Sequence, residues 1–238
     1  MTEELNNNTA PETVEAVETV TPSPAKKKKK LPVILGVVVV VLIAAGAGFW
    51  VWHEQPSFCN AICHTPMDPD YETYEQEPGE AGTDKWGNAV SDVSAMGAAW
   101  HRAKLGTSCM DCHVPTLSEQ VSEGIGWVTG NYEVYENKTY GLVLDERSAA
   151  DLVEARGLAE DEFCLNEACH NYTRDDLIAR TAQYEPNPHA PQLGVTSCTD
   201  CHKAHRASVL TCAACHTKYD LPAGWITPSQ QKKLDMPA

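Results

Sequence analysis

Read for its alternation of apolar and polar positions, the chain falls into three regimes. Residues 1 to 25 hold five Glu among repeated Thr, Pro, Asn and Val without any hydrophobic period, and predict a disordered tail. Lys26 to Lys30 form a basic run, and residues 31 to 52, LPVILGVVVVVLIAAGAGFWVW, carry no charge. A helix of about 20 apolar residues spans a bilayer, so this stretch predicts a transmembrane signal anchor. Beyond it, apolar positions recur only in short helical patterns. Val93, Met96 and Trp100 share a face within 88–104, and Leu117, Val121, Ile125 and Val128 share one within 117–128; further helices are expected at 145–160 and 173–184. The stretch 66–87, rich in Pro, Gly, Asp and Glu, predicts a loop, as does 185–197. The expected fold class is mainly α with much irregular loop: one N-terminal transmembrane helix, then a domain of short helices with little or no sheet.

Charge orients this layout. Lysines before a span keep that end in the cytoplasm, which makes 1–30 a cytoplasmic tail, 31–52 a single pass through the cell membrane, and 53–238 an extracytoplasmic domain. Trp50 and Trp52 fall where an aromatic belt meets the outer headgroups. A cleaved signal peptide is the rival, since Ala45, Gly46 and Ala47 are small enough for a peptidase. The apolar stretch exceeds the roughly 7 to 15 residues of a secretory h-region, which favours the anchor. Beyond residue 52, 28 Asp and Glu outnumber 13 Lys and Arg by 15. Such acidity argues against a nucleic-acid partner and serves solubility or the docking of a basic protein.

The cysteines change the picture most. Cys109, Cys112 and His113 spell C-x-x-C-H, the c-type haem attachment pattern. Two thiols so spaced can form thioethers to one haem, with the next imidazole as axial ligand. Cys198, Cys201 and His202 repeat the pattern, as do Cys212, Cys215 and His216. Cys59, Cys63 and His64 have three residues between the thiols, and Cys164, Cys169 and His170 have four. Ten cysteines thus make five sites with none left over. Zinc does not require a histidine directly after its second cysteine, and cysteines two residues apart rarely form structural disulfides. Five covalently attached haem c groups are the expectation. With three Phe in the whole chain, the cofactors must supply much of the core, and the domain is not expected to fold without them.

An internal repeat underlies the motifs, with halves at about 53–140 and 141–220. Phe58-Cys59-Asn60 leading to Cys63-His64 matches Phe163-Cys164-Leu165-Asn166 leading to Cys169-His170. The run from His101 to Cys109-Met-Asp-Cys-His matches that from His189 to Cys198-Thr-Asp-Cys-His. Of nine histidines, four lie outside the motifs: His53, His101, His189 and His205. Four cannot complete five bis-histidine haems, so at least one iron is held differently. His101, His189 and His205 lie beside strict motifs and are the expected distal ligands. Met67, three residues after His64, is an axial candidate for the first haem or else packs beneath the ring. Met96 is expected in the core, and His53 is either a ligand or an interfacial residue.

Together these features resemble the NapC/NirT/NrfH family of membrane-anchored multihaem quinol dehydrogenases. The likeness rests on the single anchor, the first motif just beyond it with Met downstream, the segment His101, Lys104, Cys109, Asp111, Cys112, His113 and Pro115, and the segment Cys198-Thr-Asp-Cys-His-Lys-Ala-His205. The resemblance implies that the first haem takes electrons from menaquinol, with Lys104 hydrogen-bonding a quinol oxygen and Asp111 shielding the iron or accepting a proton. It implies delivery to an extracytoplasmic terminal reductase, a flavoprotein or multihaem protein, in anaerobic respiration. The first motif here is one residue longer than the family's, Met67 stands one position further on, and a fifth motif is added. The second half resembles small multihaem cytochromes of the c3 type. The rivals are a conduit with no quinol site and a terminal multihaem reductase.

Overall fold

The structure is a computed structural model describing residues 30–153, 157–190, 192, 194, 196–234 and 236, without the side chains of 63–65 and 149. Apart from Lys30, the expected tail lies outside the described residues. Helix α1 (Leu31–His53) runs unbroken through the uncharged stretch, with a mean hydropathy of 2.7 over its best window and no buried residue. By length and composition it can cross a membrane. The described residues divide into two units between Ala45 and Gly46. At the start of the second unit, the rings of Phe49, Trp52 and His53 pack on Phe58 at centroid distances of 5.6, 5.0 and 4.9 Å.

Helix α2 (Pro56–Glu75) corrects the expectation of a loop beginning at 66, since it continues through Pro66 and Pro69. Proline disfavours a helix interior by removing a donor and crowding the preceding turn. Here burial outweighs that cost: Pro69, Thr73 and Tyr74 are all buried, and tertiary packing overrides local propensity. The loop proper begins after Glu75. It contains a small hairpin of β1 (Gly82–Thr83) and β2 (Ala89–Val90), whose turn is pinned by the Asp84 carboxylate accepting the backbone N–H groups of Trp86 and Asn88 at 2.9 and 2.8 Å.

The helix expected over 88–104 is divided. β2 occupies its start, a 3-10 turn covers Val93–Ala95, and only α3 (Gly97–Leu105) is α-helical. The Asp92 side chain captures the Ser94 N–H at 2.8 Å, and such local capping competes with helix continuation. Gly106 ends α3 in the left-handed conformation, φ 70°, at little steric cost. Then come α4 (Cys109–Cys112), α5 (Leu117–Thr129), a hairpin of β3 (Val134–Asn137) with β4 (Gly141–Leu144), α6 (Ala149–Val153), α7 (Glu160–Cys164), α8 (Arg174–Arg180), α9 (Cys198–Cys201) and α10 (Pro228–Gln231). The expected helix over 145–160 is represented by α6 and the start of α7, and that over 173–184 by α8. Two two-stranded hairpins are the named sheet among the described residues.

The core is small: Val90, Val93, Met96, Ala99 and Ala207, with Ile226 packed against them. Met96 is fully buried, as its place in the pattern predicts. A strap over 203–208 ties distant segments together. Gly97 and Ala98 donate backbone N–H groups to Lys203 O and Ala204 O at 2.7 and 3.0 Å, Ser208 donates to Ala95 O at 3.1 Å, and Lys85 donates to His205 O at 3.0 Å. The end of the sequence is thereby laid against α3 and the first hairpin. The apolar stripe of α5, in contrast, is open: Leu117, Val121, Ile125 and Val128 are all exposed.

Candidate haem-binding centre

The strict motifs are built on single turns. In α4 and α9 the cysteine pair forms the whole element, begun by matching caps: Ser108 donates its N–H to Asp111 at 2.6 Å, and Ser197 donates to Asp200 at 2.9 Å. Each turn closes when the motif histidine donates its backbone N–H to the carbonyl of the first cysteine, at 2.8 Å for His113, 3.0 Å for His202 and 2.9 Å for His216. The expanded motif at Cys164 closes in the same way, His170 N–H to Cys164 O at 3.2 Å. Its two extra residues are absorbed by Asn166, whose side-chain oxygen accepts the N–H groups of Ala168 and Cys169 at 3.0 and 3.1 Å. All four motifs with described side chains therefore present first cysteine and histidine alike. The fifth, Cys59 to His64, lies in the first half of α2.

Three histidine pairs face one another. His189 and His202 are parallel within 4° at a centroid distance of 6.5 Å, His113 and His205 are tilted by 30° at 6.4 Å, and His101 and His170 stand 5.9 Å apart at 70°. A single iron with a nitrogen bond of about 2 Å on either side separates two imidazole centres by about 6 Å. In every pair one member belongs to a motif and the other is His101, His189 or His205. Sequence position does not reveal the partners. His205, three residues after the fourth motif, faces the second motif, and His101, just before the second, faces the third.

In His101, His189 and His205 the other ring nitrogen is engaged. His101 Nδ1 donates to Gly97 O at 2.7 Å. His205 Nδ1 meets Thr73 Oγ1 at 2.7 Å while that hydroxyl donates to Asp70 O, and His189 Nδ1 meets Thr181 Oγ1 at 3.2 Å while that hydroxyl donates to Leu177 O. Held so, Nδ1 carries the proton and Nε2 is left with its lone pair, the tautomer a metal requires. Burial, and then the charge of the facing ring, His205 for His113 and His189 for His202, pushes the pKa of both motif histidines down to about 4. Yet the motif rings His113, His170 and His202 remain solvent-exposed.

Buried donors without partners mark the second motif's surroundings. Trp86 Nε1 and Arg206 Nη1 have no hydrogen-bond partner, although Trp86 is fully buried and Arg206 is 5% exposed. Arg206 follows His205 directly and donates its Nε to Glu146 at 2.8 Å. Buried polar groups are ordinarily satisfied, and haem carries carboxylates that would satisfy these. Residues and group fit: thiol pairs, facing imidazoles with bare Nε2 atoms, and orphaned donors. Among the described residues no group of three or more His, Cys, Asp or Glu converges as in a zinc cage.

The motifs also follow one another in space. The neighbouring Cys109 thiol lowers the Cys59 thiol from its usual range, and the neighbouring Cys164 thiol does the same to Cys198. Cys112 is pushed up by burial and then by the charge of Cys169, and Cys212 by burial and then by Cys201. First neighbours second, second neighbours third, third neighbours fourth, and fourth neighbours fifth.

The remaining expected site residues are less converged. Lys104 is exposed in the last turn of α3, and Asp111 is exposed with its carboxylate committed to the Ser108 cap. Met67 is half-buried on α2. Arg206, Trp86 and Thr73 carry no motif signal, and only their proximity to His205 in the fold reveals them.

Residues 148–217, the span of the third to fifth motifs, match the cytochrome c3 family, in keeping with the c3-like second half expected from sequence. The chain is similar to the cytochrome c-type protein Cgr1 of Eggerthella lenta, 60% identical over 191 residues that cover 80% of this chain and 84% of that protein. No solved structure matches.

Proposed function

Because the chain belongs to the family of multihaem c-type cytochromes that includes Cgr1, we propose that it is a membrane-anchored pentahaem electron relay, fed by menaquinol and emptied by an extracytoplasmic reductase. Haem iron, when bound, supplies reversible one-electron transfer. The chain supplies attachment, ligands and order. The observation that carries the reading is the succession of motifs from Cys59, six residues beyond α1, to Cys212: Cys59 neighbours Cys109, His101 beside the second motif faces His170 of the third at 5.9 Å, Cys198 Sγ reaches Asp161 on the helix of Cys164 at 3.6 Å, and Cys201 Sγ meets Thr211 beside Cys212 at 3.2 Å. The facing pairs His113 with His205, His170 with His101, and His202 with His189 would each hold one haem iron. Bis-imidazole ligation suits low-potential transfer, and His64 with Met67 belongs to the first site.

The resemblance to NapC/NirT/NrfH proteins supplies the quinol end. Lys104 would hold a quinol oxygen, while Asp111, four residues before Pro115 and adjacent to Cys112, would receive a proton. The lysines before α1 orient the haem domain outward. A second reading, a conduit with no quinol site, is favoured by one observation: Asp111 has a structural role matched by Asp200 in the other half. Anaerobic mixing of the detergent-held protein with a reduced menaquinone analogue decides between them. Lys104→Ala and Asp111→Asn are expected to slow haem reduction by at least tenfold with haem content unchanged. Unaltered rates, or a wild-type protein reduced by dithionite but not by quinol, select the conduit.

A further inference from the structure

We infer that the site of Cys212, Cys215 and His216 is the exit end of the relay, and that its iron has no histidine on the face opposite His216. The inference rests on the pentahaem reading above and extends it. The whole chain contains nine histidines. Five stand in motifs, and three more are taken by the facing pairs of the second, third and fourth motifs. The ninth, His53, is held at the end of α1 in the aromatic cluster with Phe49, Trp50 and Phe58, its ring 5.9 Å from Trp50 and 4.9 Å from Phe58. That cluster adjoins the first motif in sequence, at the opposite end of the succession of sites. No histidine is left for the fifth iron.

Position agrees with composition. The fifth motif joins the others through the fourth, where Cys201 Sγ meets the Oγ1 of Thr211, the residue before Cys212, at 3.2 Å. On its other side Cys215 is exposed, and Cys215, His216, Thr217 and Lys218 line an open recess of about 340 Å³ with Glu185 and Pro186. Tyr219 ties that recess together by donating its hydroxyl to Pro186 O at 2.7 Å. A terminal, solvent-facing site joined to one neighbour is where a soluble redox protein can approach. A haem held there would supply one electron to the acceptor, its iron passing from ferrous to ferric, and no bond to the protein would form or break.

The test uses the full chain with its haems, held in detergent. Ferrous protein titrated with carbon monoxide is expected to bind it, and C212A/C215A, lighter by one haem, is expected to bind one equivalent less. His216→Met keeps both thioethers and guards against a misassembled double variant. It is expected to abolish the iron–histidine stretch that a five-coordinate ferrous haem shows in resonance Raman spectra. Retention of the full carbon monoxide uptake in C212A/C215A, or of that stretch in His216→Met, overturns the coordination. For the exit role, dithionite-reduced protein is mixed with a basic soluble cytochrome c. Re-oxidation slowed at least tenfold in C212A/C215A is expected, and an unchanged rate overturns the role. None of these readouts uses quinol, so failure of the menaquinol reading would leave them intact.

Discussion

Thr73, His205 and Arg206 show how single side chains can set the properties of an iron they do not all touch. The Thr73 hydroxyl takes the Nδ1 proton of His205 in hydrogen bonding at 2.7 Å, which makes the imidazole a stronger donor to the ferric ion. Thr73→Val removes that acceptor and leaves a buried N–H unpaired, a loss of about 1–3 kcal/mol. The potential of the second-motif haem is expected to rise. Arg206 acts oppositely: its guanidinium is 5% exposed with one nitrogen unpartnered, and a positive charge near the iron favours the ferrous state. Arg206→Gln is expected to lower the same potential. A differential interaction of about 1 kcal/mol corresponds to roughly 40 mV for one electron, within reach of a spectroelectrochemical titration. Shifts of the same sign in both variants would refute this account.

At the scale of elements, the motifs were legible because covalent attachment forces the cysteines and histidine to be neighbours in sequence. The partners of those histidines were not, because a distal ligand need only arrive in space. The strap over 203–208 brings His205 to the second motif through backbone bonds to Lys85, Ala95, Gly97 and Ala98, which leave no periodic signal. Helix α2 was hidden by Pro66 and Pro69 for a related reason: local propensity opposed it and burial decided. The β3–β4 hairpin is likewise fixed by one residue. Buried Asn137 donates to Trp86 O at 2.8 Å and accepts the N–H groups of Thr139 and Tyr140 at 2.8 and 3.0 Å. Asn137→Ala breaks all three bonds and uncouples the hairpin from the first loop. A loss of about 2–3 kcal/mol is expected in denaturant melts of the haem-loaded protein, with unchanged haem content.

For the molecule as a whole, the balance of apolar surface argues that the haems are structural. Twelve apolar residues are buried among those described, while Trp100, Leu117, Val121, Ile125, Trp127 and Val128, all within 30 residues, are exposed. A domain with so small a protein core cannot offset the conformational entropy of its long loops. The motif residues His113, His170 and His202 are exposed as well, while buried donors at Trp86 and Arg206 are orphaned. Cofactor binding is therefore expected to be folding, as in small metal-stabilised domains. Full-length chain made in cells without haem-attachment machinery should lack the near-ultraviolet circular dichroism of buried Trp86 and of Trp225, whose ring stands edge-on to His202 at 5.0 Å, and be cleaved throughout 53–238 by dilute protease. The haem-loaded chain should resist cleavage in that region. A haem-free chain with native-like dichroism and protection would mean that the hairpins and the Met96 core suffice, and would reduce the haems from framework to cargo.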